Sequence, residues 1–250
     1  MKVVDAKWEL RNLGVKTIEI SIEKKDLMLS ETDLLATIEK HRLQYDAKYV
    51  VIKADTRYPE ISLYLQGAGF ILMENQINLR GTRKDISNAL EKYRSVCVGA
   101  DYRPADEDDI KMVFSEMERN IFFTDRISLD PRFGINVANR RYSLWMKDEL
   151  ERGATIQIYL FEGEPIGFSL DKIKADGKTV VGLLGGLFNR PETRYLGAMY
   201  IYAGVMSFCK SDLRFLRTAV SSNNLNILQL NLMFGREITD IKNVLIKHFD

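Results

Sequence analysis

Apolar and polar residues alternate from Lys16 to Ile22, placing Ile18, Ile20 and Ile22 on one face at the period of a half-buried strand. From Glu31 to Leu43 the interval lengthens: Leu34, Leu35, Ile38 and Leu43 fall at helical spacing. Tyr49 to Ala54 is a short β-branched run. Pro59 suits the first turn of a helix reaching Ala68, and Gly69 stops it before Phe70 to Arg80 resumes as a strand.

The same order returns downstream. Phe215 to Ser221 reads as a strand, Asn223 to Met233 as a helix, Gly235 as its stop and Glu237 to Lys247 as a strand. Superposing Gly69 on Gly235 aligns the two series, which repeat architecture rather than residues. Between them, Gly81 to Tyr93 is polar and charged, as a connecting helix or linker would be. This predicts an N-terminal half-domain over 1–90 and a larger domain over 91–250.

The second part is expected to open with a strand, Ser95 to Tyr102. The acidic run Asp106 to Asp109 then favours the N-terminus of a helix reaching about Asn120. Asn136 to Arg152 reads as a second helix, followed by strands Thr155 to Phe161 and Ile166 to Ile173 around the turn Glu162 to Pro165. Thr179 to Phe188 is an apolar, glycine-containing strand and Arg194 to Lys210 a helix apolar nearly all round, so both should be deeply buried. The fold class is α/β (α+β): a mixed, mostly antiparallel sheet flanked by helices, with an N-terminal half of related architecture.

Composition narrows the function classes. With 250 residues and 46% hydrophobic side chains the chain holds real cores without staples. Thirty-six basic and thirty-five acidic residues leave a net charge of +1, which argues against nucleic acid or an anionic membrane as partner and for a small molecule. Cys97 and Cys209 lie in apolar runs and read as buried free thiols. With no continuous apolar segment at the N-terminus, the expectation is a cytoplasmic protein. His41 and His248 lack neighbours at metal-ligand spacing, so no metal is expected.

The junction after the apolar strand carries the most chemistry. Gly185-Gly186-Leu187-Phe188 ends the strand, Asn189 to Thr193 makes a polar turn, and the helix is expected to begin near Arg194. Free amides and the helix dipole at such a junction favour an anion. Arg190 and Arg194 add the charge a pyrophosphate needs, and Gly197 lets backbone approach a ligand without a Cβ in the way. Close strand-helix packing is the alternative use of these glycines.

Over residues 95 to 249 the element order resembles the GNAT (GCN5-related N-acetyltransferase) superfamily. Arg194-Tyr195-Leu196-Gly197-Ala198-Met199 is similar to its signature Arg/Gln-x-x-Gly-x-Gly/Ala, with Met199 departing at the sixth position. Ser221-Ser222-Asn223-Asn224, a helix and Phe234-Gly235 look like its Asn-containing segment and Leu-Gly-Phe stop. Asp130-Pro131-Arg132-Phe133, with Tyr142 and Trp145, is similar to the acceptor-side segment of the dTDP-fucosamine acetyltransferases.

The resemblance implies acetyl-CoA or another acyl-CoA as co-substrate and an N-acyltransferase acting on a small-molecule amine, with a nucleotide-linked amino sugar as one such acceptor. Cofactor contacts are implied for Leu187, Phe188, Arg190, Arg194 to Met199, Asn223 and Asn224, and Leu187 and Phe188 would offer backbone donors to the thioester carbonyl. Asp125, Asp130, Arg132, Phe133 and Trp145 are the acceptor-side candidates. The tyrosine that usually protonates the leaving thiolate is replaced by Asn231, an amide that cannot serve as an acid. This leaves a second reading, a non-catalytic acyl-CoA-binding or scaffolding protein, and a homodimer is one arrangement the sequence allows.

Overall fold

The computed structural model describes all residues from Met1 to Asp250. Ten strands form one sheet: β1 (Lys2–Asp5), β2 (Thr17–Ser21), β3 (Tyr49–Asp55), β4 (Ile71–Thr82), β5 (Ala100–Pro104), β6 (Thr155–Phe161), β7 (Glu164–Ile173), β8 (Thr179–Leu187), β9 (Phe215–Ser221) and β10 (Arg236–His248). Their spatial order is β1-β2-β3-β10-β4-β9-β8-β7-β6-β5. Only β2 with β3 and β8 with β9 run parallel; every other pairing is antiparallel. The mixed, mostly antiparallel architecture expected from the sequence is the one observed.

That order contains a strand exchange. β4 follows β3 through α3 (Pro59–Gly67), yet β10 lies between them. In the same way β10 follows β9 through α9 (Leu225–Met233), yet β4 lies between those two. The series β1-β2-β3-β10 and β7-β8-β9-β4 therefore match in order and direction about a pseudo-twofold between β10 and β4. Gly69 and Gly235, aligned by sequence pattern, sit at equivalent corners with φ of +87° and +83°. Both occupy the left-handed region that ends a helix most cheaply with glycine.

Helices cover both faces. On one lie α4 (Arg83–Tyr93) and α8 (Gly197–Lys210), closing a core of Tyr159, Val180, Leu216 and Phe234. On the other, α5 (Glu107–Met117) and α7 (Gly134–Glu151) close a core of Ile158, Phe168, Leu170 and Phe188. The register confirms that these are opposite faces. Ile158 pairs with Phe168 and Tyr159 with Gly167, so each core takes alternate residues of β6 and β7. α2 (Glu31–Gln44) and α3 cover β2 and β3 through Leu34, Ile38, Ile61 and Leu65.

Two short helices join the halves. α1 (Trp8–Leu13) packs on α7, where Glu9, fully buried, receives the Arg141 guanidinium at 2.8 Å. α6 (Arg126–Leu129) precedes α7. Asp130 is buried at its end, 2.7 Å from His248 Nε2 on β10.

Three segments depart from the sequence reading. Ser95 to Gly99 continues turning after α4, with Cys97 N–H donating to Tyr93 O and Gly99 at φ +88°, so β5 starts only at Ala100. A 3-10 turn over Pro191–Thr193 delays α8 to Gly197. β8, expected to be deeply buried, is so only at Thr179 and Val180, because β9 leaves its side beyond that point. Cys97 is buried, whereas Cys209 is half-buried with Sγ 3.5 Å from Ser87 Oγ. No helix is long and apolar enough to cross a membrane.

Candidate functional site

β8 and β9 pair at three positions, Thr179 with Phe215, Val180 with Leu216 and Val181 with Arg217. The Thr218 hydroxyl donates to Gly182 O at 3.1 Å, and beyond it the two strands part. At the same level the β7–β8 register shifts between Leu170 and Asp171: Asp171 faces Gly182 and Leu170 faces Leu184, leaving Leu183 as a bulge. A bulge re-aims the backbone and sharpens the local twist. One backbone edge of Leu183–Leu187 is thus left without a neighbouring strand.

A cavity of about 1280 Å³ fills the gap. Its wall includes Gly197, Ala198, Ile201 and Gly204 of α8 on one face, and Arg141, Tyr142 and Trp145 of α7 on the other. The cavity therefore passes through the sheet between β8 and β9, with backbone from Leu183 to Leu187 along its side.

At the α8 mouth the helix N-terminus carries no side-chain cap, so the first-turn amides are free for an anion. Arg194 and Tyr195, both exposed, stand beside it with the guanidinium 5.7 Å from the tyrosine ring centroid. Gly197 lets α8 approach α9 closely, since an added Cβ would lie 3.0 Å from Leu230 Cδ1. Asn224 caps α9, accepting from Ile227 N–H at 3.3 Å, and also lines the cavity.

Several candidates stand elsewhere. Arg190 is engaged by the buried Glu116 at 2.9 Å, Phe188 packs in the α5–α7 core with its N–H donated to Ile166 O, and Leu196 and Met199 pack on the α8 core. Asn223 is exposed and reaches Thr124 O at 3.3 Å. On the acceptor side Asp125 and Trp145 line the cavity. Asp130 and Phe133 instead pack at the junction of the halves, Phe133 with its ring centroid 5.2 Å from Tyr49, and Arg132 is exposed.

Asn231 is buried at the cavity wall, donating to Ile227 O at 2.6 Å, while its Oδ1 has no partner. Gln157 Oε1 and Arg236 Nε on the same α8 side, and Arg126 Nε on the α7 side, are likewise buried without partners at this wall. Orphaned polar atoms of this kind are unusual in native proteins, and water or ligand satisfies them.

Beneath α8 runs a chain of hydroxyls. Tyr159 and Ser169 lie 2.6 Å apart, and Ser169 Oγ donates to Asp171 Oδ2 at 2.6 Å. Burial raises the Asp171 carboxyl to about 6, opposed by Ser169 and by Arg236. Tyr200, pushed up to the far alkaline side by burial, donates to Phe168 O at 3.1 Å. Gly185 leaves the room this hydroxyl occupies, since a Cβ there would come within 2.6 Å of it.

Sequence reasoning missed this chain and the whole contribution of the N-terminal half, namely Trp8, Glu19, Lys53, Glu74 and Gln76 at the α7 end. The available signals were charges inside strand patterns: Glu19 between the buried Ile18 and Ile20, and Asp171 within the apolar run of β7.

No protein-family model and no curated protein matches the sequence. Among solved structures the chain is similar to a conserved protein of unknown function from Staphylococcus epidermidis, with a TM-score of 0.62 and 12% identity over 94% of this chain and 85% of that one. It is also similar to a GCN5-related N-acetyltransferase from Sphaerobacter thermophilus, with a TM-score of 0.60 and 11% identity over 99% and 75% of the two chains. A third, from Kribbella flavida, has a TM-score of 0.54 and 12% identity over 94% and 82%. The parted strands, the bulge and the helix N-terminus beside them thus belong to a fold shared with GCN5-related N-acetyltransferases.

Proposed function

We propose that the chain is an acyl-CoA-dependent N-acyltransferase that passes an acetyl or related acyl group to the amine of a small molecule. The observation that carries this reading is the parting of β8 from β9 beyond Val181 and Arg217, which opens a passage through the sheet. One end presents an uncapped helix N-terminus with Arg194, suited to a pyrophosphate. The extended pantetheine arm fits along the free edge of β8, whose backbone donors would receive the thioester carbonyl. The amine would enter from the α7 end, so that donor and acceptor meet in the gap and positioning supplies much of the acceleration.

The finer acceptor reading is a nucleotide-linked amino sugar. Its support is the lining of the α7 end, where Trp8, Tyr142 and Trp145 offer aromatic faces, and Lys53 and the exposed Arg152 offer cations that a diphosphate could draw from their pairs with Glu19 and Glu149. Asp130, Arg132 and Phe133 take no direct part, since their side chains lie outside the cavity.

The first test is calorimetric titration with CoA, followed by acetyl-CoA turnover against aliphatic amines, arylalkylamines, amino acids and a dTDP-linked 4-amino sugar. Micromolar CoA binding is expected, and Arg194→Ala should weaken it on the order of tenfold, about 1.4 kcal/mol. Wild-type protein that fails to bind CoA would overturn the reading. Asn231 favours the second reading, a CoA-binding protein without turnover; CoA binding without thiol release from any acceptor would select it.

A further inference from the structure

Six carboxylates line the cavity: Glu19, Glu74, Asp125, Asp148, Glu149 and Asp171. Five are already committed. Glu19 pairs with Arg126 at 2.7 Å and Lys53 at 3.4 Å, which hold it down to about 2 despite its burial. Asp148 pairs with Arg11 at 2.7 Å, and Glu149 with Lys172 at 2.7 Å. Asp125 caps α6 through Ile127 N–H at 2.8 Å, and Asp171 accepts from Ser169. Glu74 alone has neither an ion-pair partner nor a cap or hydroxyl partner of its own: the Ser221 hydroxyl near it donates to Thr124 O instead, at 2.9 Å, and Arg126, whose backbone amide also lies near Glu74, is paired with Glu19.

We infer that Glu74, from the N-terminal half, receives the acceptor as a protonated primary amine at the α7 end and removes its proton as the general base. The strand exchange puts it there. β4 lies against β9, the wall opposite the bulged β8, so a residue of the first half borders the gap in the second. Burial holds its carboxyl above the usual range, and Asp125 adds to this while Ser221 and the Arg126 charge and backbone amide oppose it. The other charged and titratable groups at this end are Glu19 of β2, Lys53 of β3, Arg141, Tyr142, Asp148 and Glu149 of α7, and Arg152 just after it. A carboxylate raised toward neutrality is a better base than an ordinary one, because proton transfer is most effective when its pKa nears the working pH.

The step balances. The ammonium gives one proton to Glu74, and the nitrogen lone pair forms a bond to the thioester carbon. The C–S bond then breaks and the electrons leave on sulfur. The second proton lost by nitrogen neutralises the thiolate through solvent, which removes the need for an acid at Asn231.

This inference rests on the acyl-transfer reading, and the experiment separates the two. CoA affinity is measured for wild type, Glu74→Gln and Glu74→Asp. Thermal shifts of the CoA-loaded proteins are then recorded with each panel amine and its hydroxyl isostere, and kcat/KM with acetyl-CoA is followed from pH 5.5 to 9. Equal CoA affinity in all three is expected. At least one amine should stabilise wild type more than its alcohol, and Glu74→Gln should remove that difference. Glu74→Gln should also lower kcat/KM on the order of 10²-fold and flatten the acid limb of the profile, with partial recovery in Glu74→Asp. Wild type that binds no CoA sinks the acyl-transfer reading and this one with it. Wild type that binds CoA, with Glu74→Gln matching it in amine preference, rate and pH profile, or with no amine preferred over its alcohol, overturns the role of Glu74 alone.

Discussion

At the residue scale, the cavity is lined by polar groups that a packed core would exclude, and Asp171 shows the cost. Its carboxyl is raised to about 6 because burial disfavours the charged form, with Ser169 and Arg236 compensating in part. An unfolded aspartate titrates near 3.9, so the native state binds this proton more tightly. The associated stability is fully present below about pH 4 and is lost as pH rises through about 6. Asp171→Asn carries no charge to bury. It should therefore match wild type near pH 4 and exceed it by about 1–3 kcal/mol at pH 7.5. Urea unfolding at the two pH values measures this directly, and equal differences at both would mean that Asp171 is not the titrating group. Retaining such a residue against stability is what functional sites do.

At the element scale, the two glycine corners are alike in conformation and unlike in surroundings. An alanine Cβ at Gly69 would meet only the flexible end of Lys247 at 3.4 Å, whereas at Gly235 it would meet Asp85 O at 2.6 Å and Asp85 C at 2.8 Å. Gly69→Ala should cost about 1 kcal/mol, the strain of a left-handed non-glycine residue, and Gly235→Ala about 3 kcal/mol or more because α4 must move as well. Thermal unfolding of the two variants checks the order. The equivalence of these corners was legible in the sequence, because periodicity and stop signals are local: β3, β9, α2 and α3 lie within a residue or two of their expected bounds. The parting of β8 from β9 was not, since an apolar strand reads the same whether a neighbour stays beside it or leaves. α1 and α6 were also missed, at six and four residues too short to show a helical period. For the site, Arg194, Gly197 and Asn224 lay on a local motif. Glu74 lay on the wrong half of the chain, and only the exchanged strand brings it to the gap.

At the scale of the whole molecule, the exchange ties the fate of each half to the other. A chain of 91–250 would carry β9 with its outer edge bare and β10 without either of the strands that flank it, since β3 and β4 both lie before residue 90. Long unpaired edges of this kind aggregate rather than stand alone. It would also leave Arg141 buried without Glu9 and remove Glu19 from Arg126, and breaking a buried ion pair on one side costs about 3–5 kcal/mol. We therefore expect that neither 1–90 nor 91–250 yields a soluble monomer with protected amides when produced alone, and that producing the two pieces together restores a complex that binds CoA. Hydrogen exchange should show β4 and β10 protected together in the intact protein, because each is held along both edges by strands of the other half. A soluble, CoA-binding fragment of 91–250 would mean that the second half can close its own sheet, with β10 moving to the place β4 now holds. In that event the first half would be a removable lid on the acceptor end rather than part of the frame, and Glu74 would reach the gap only when that lid is docked.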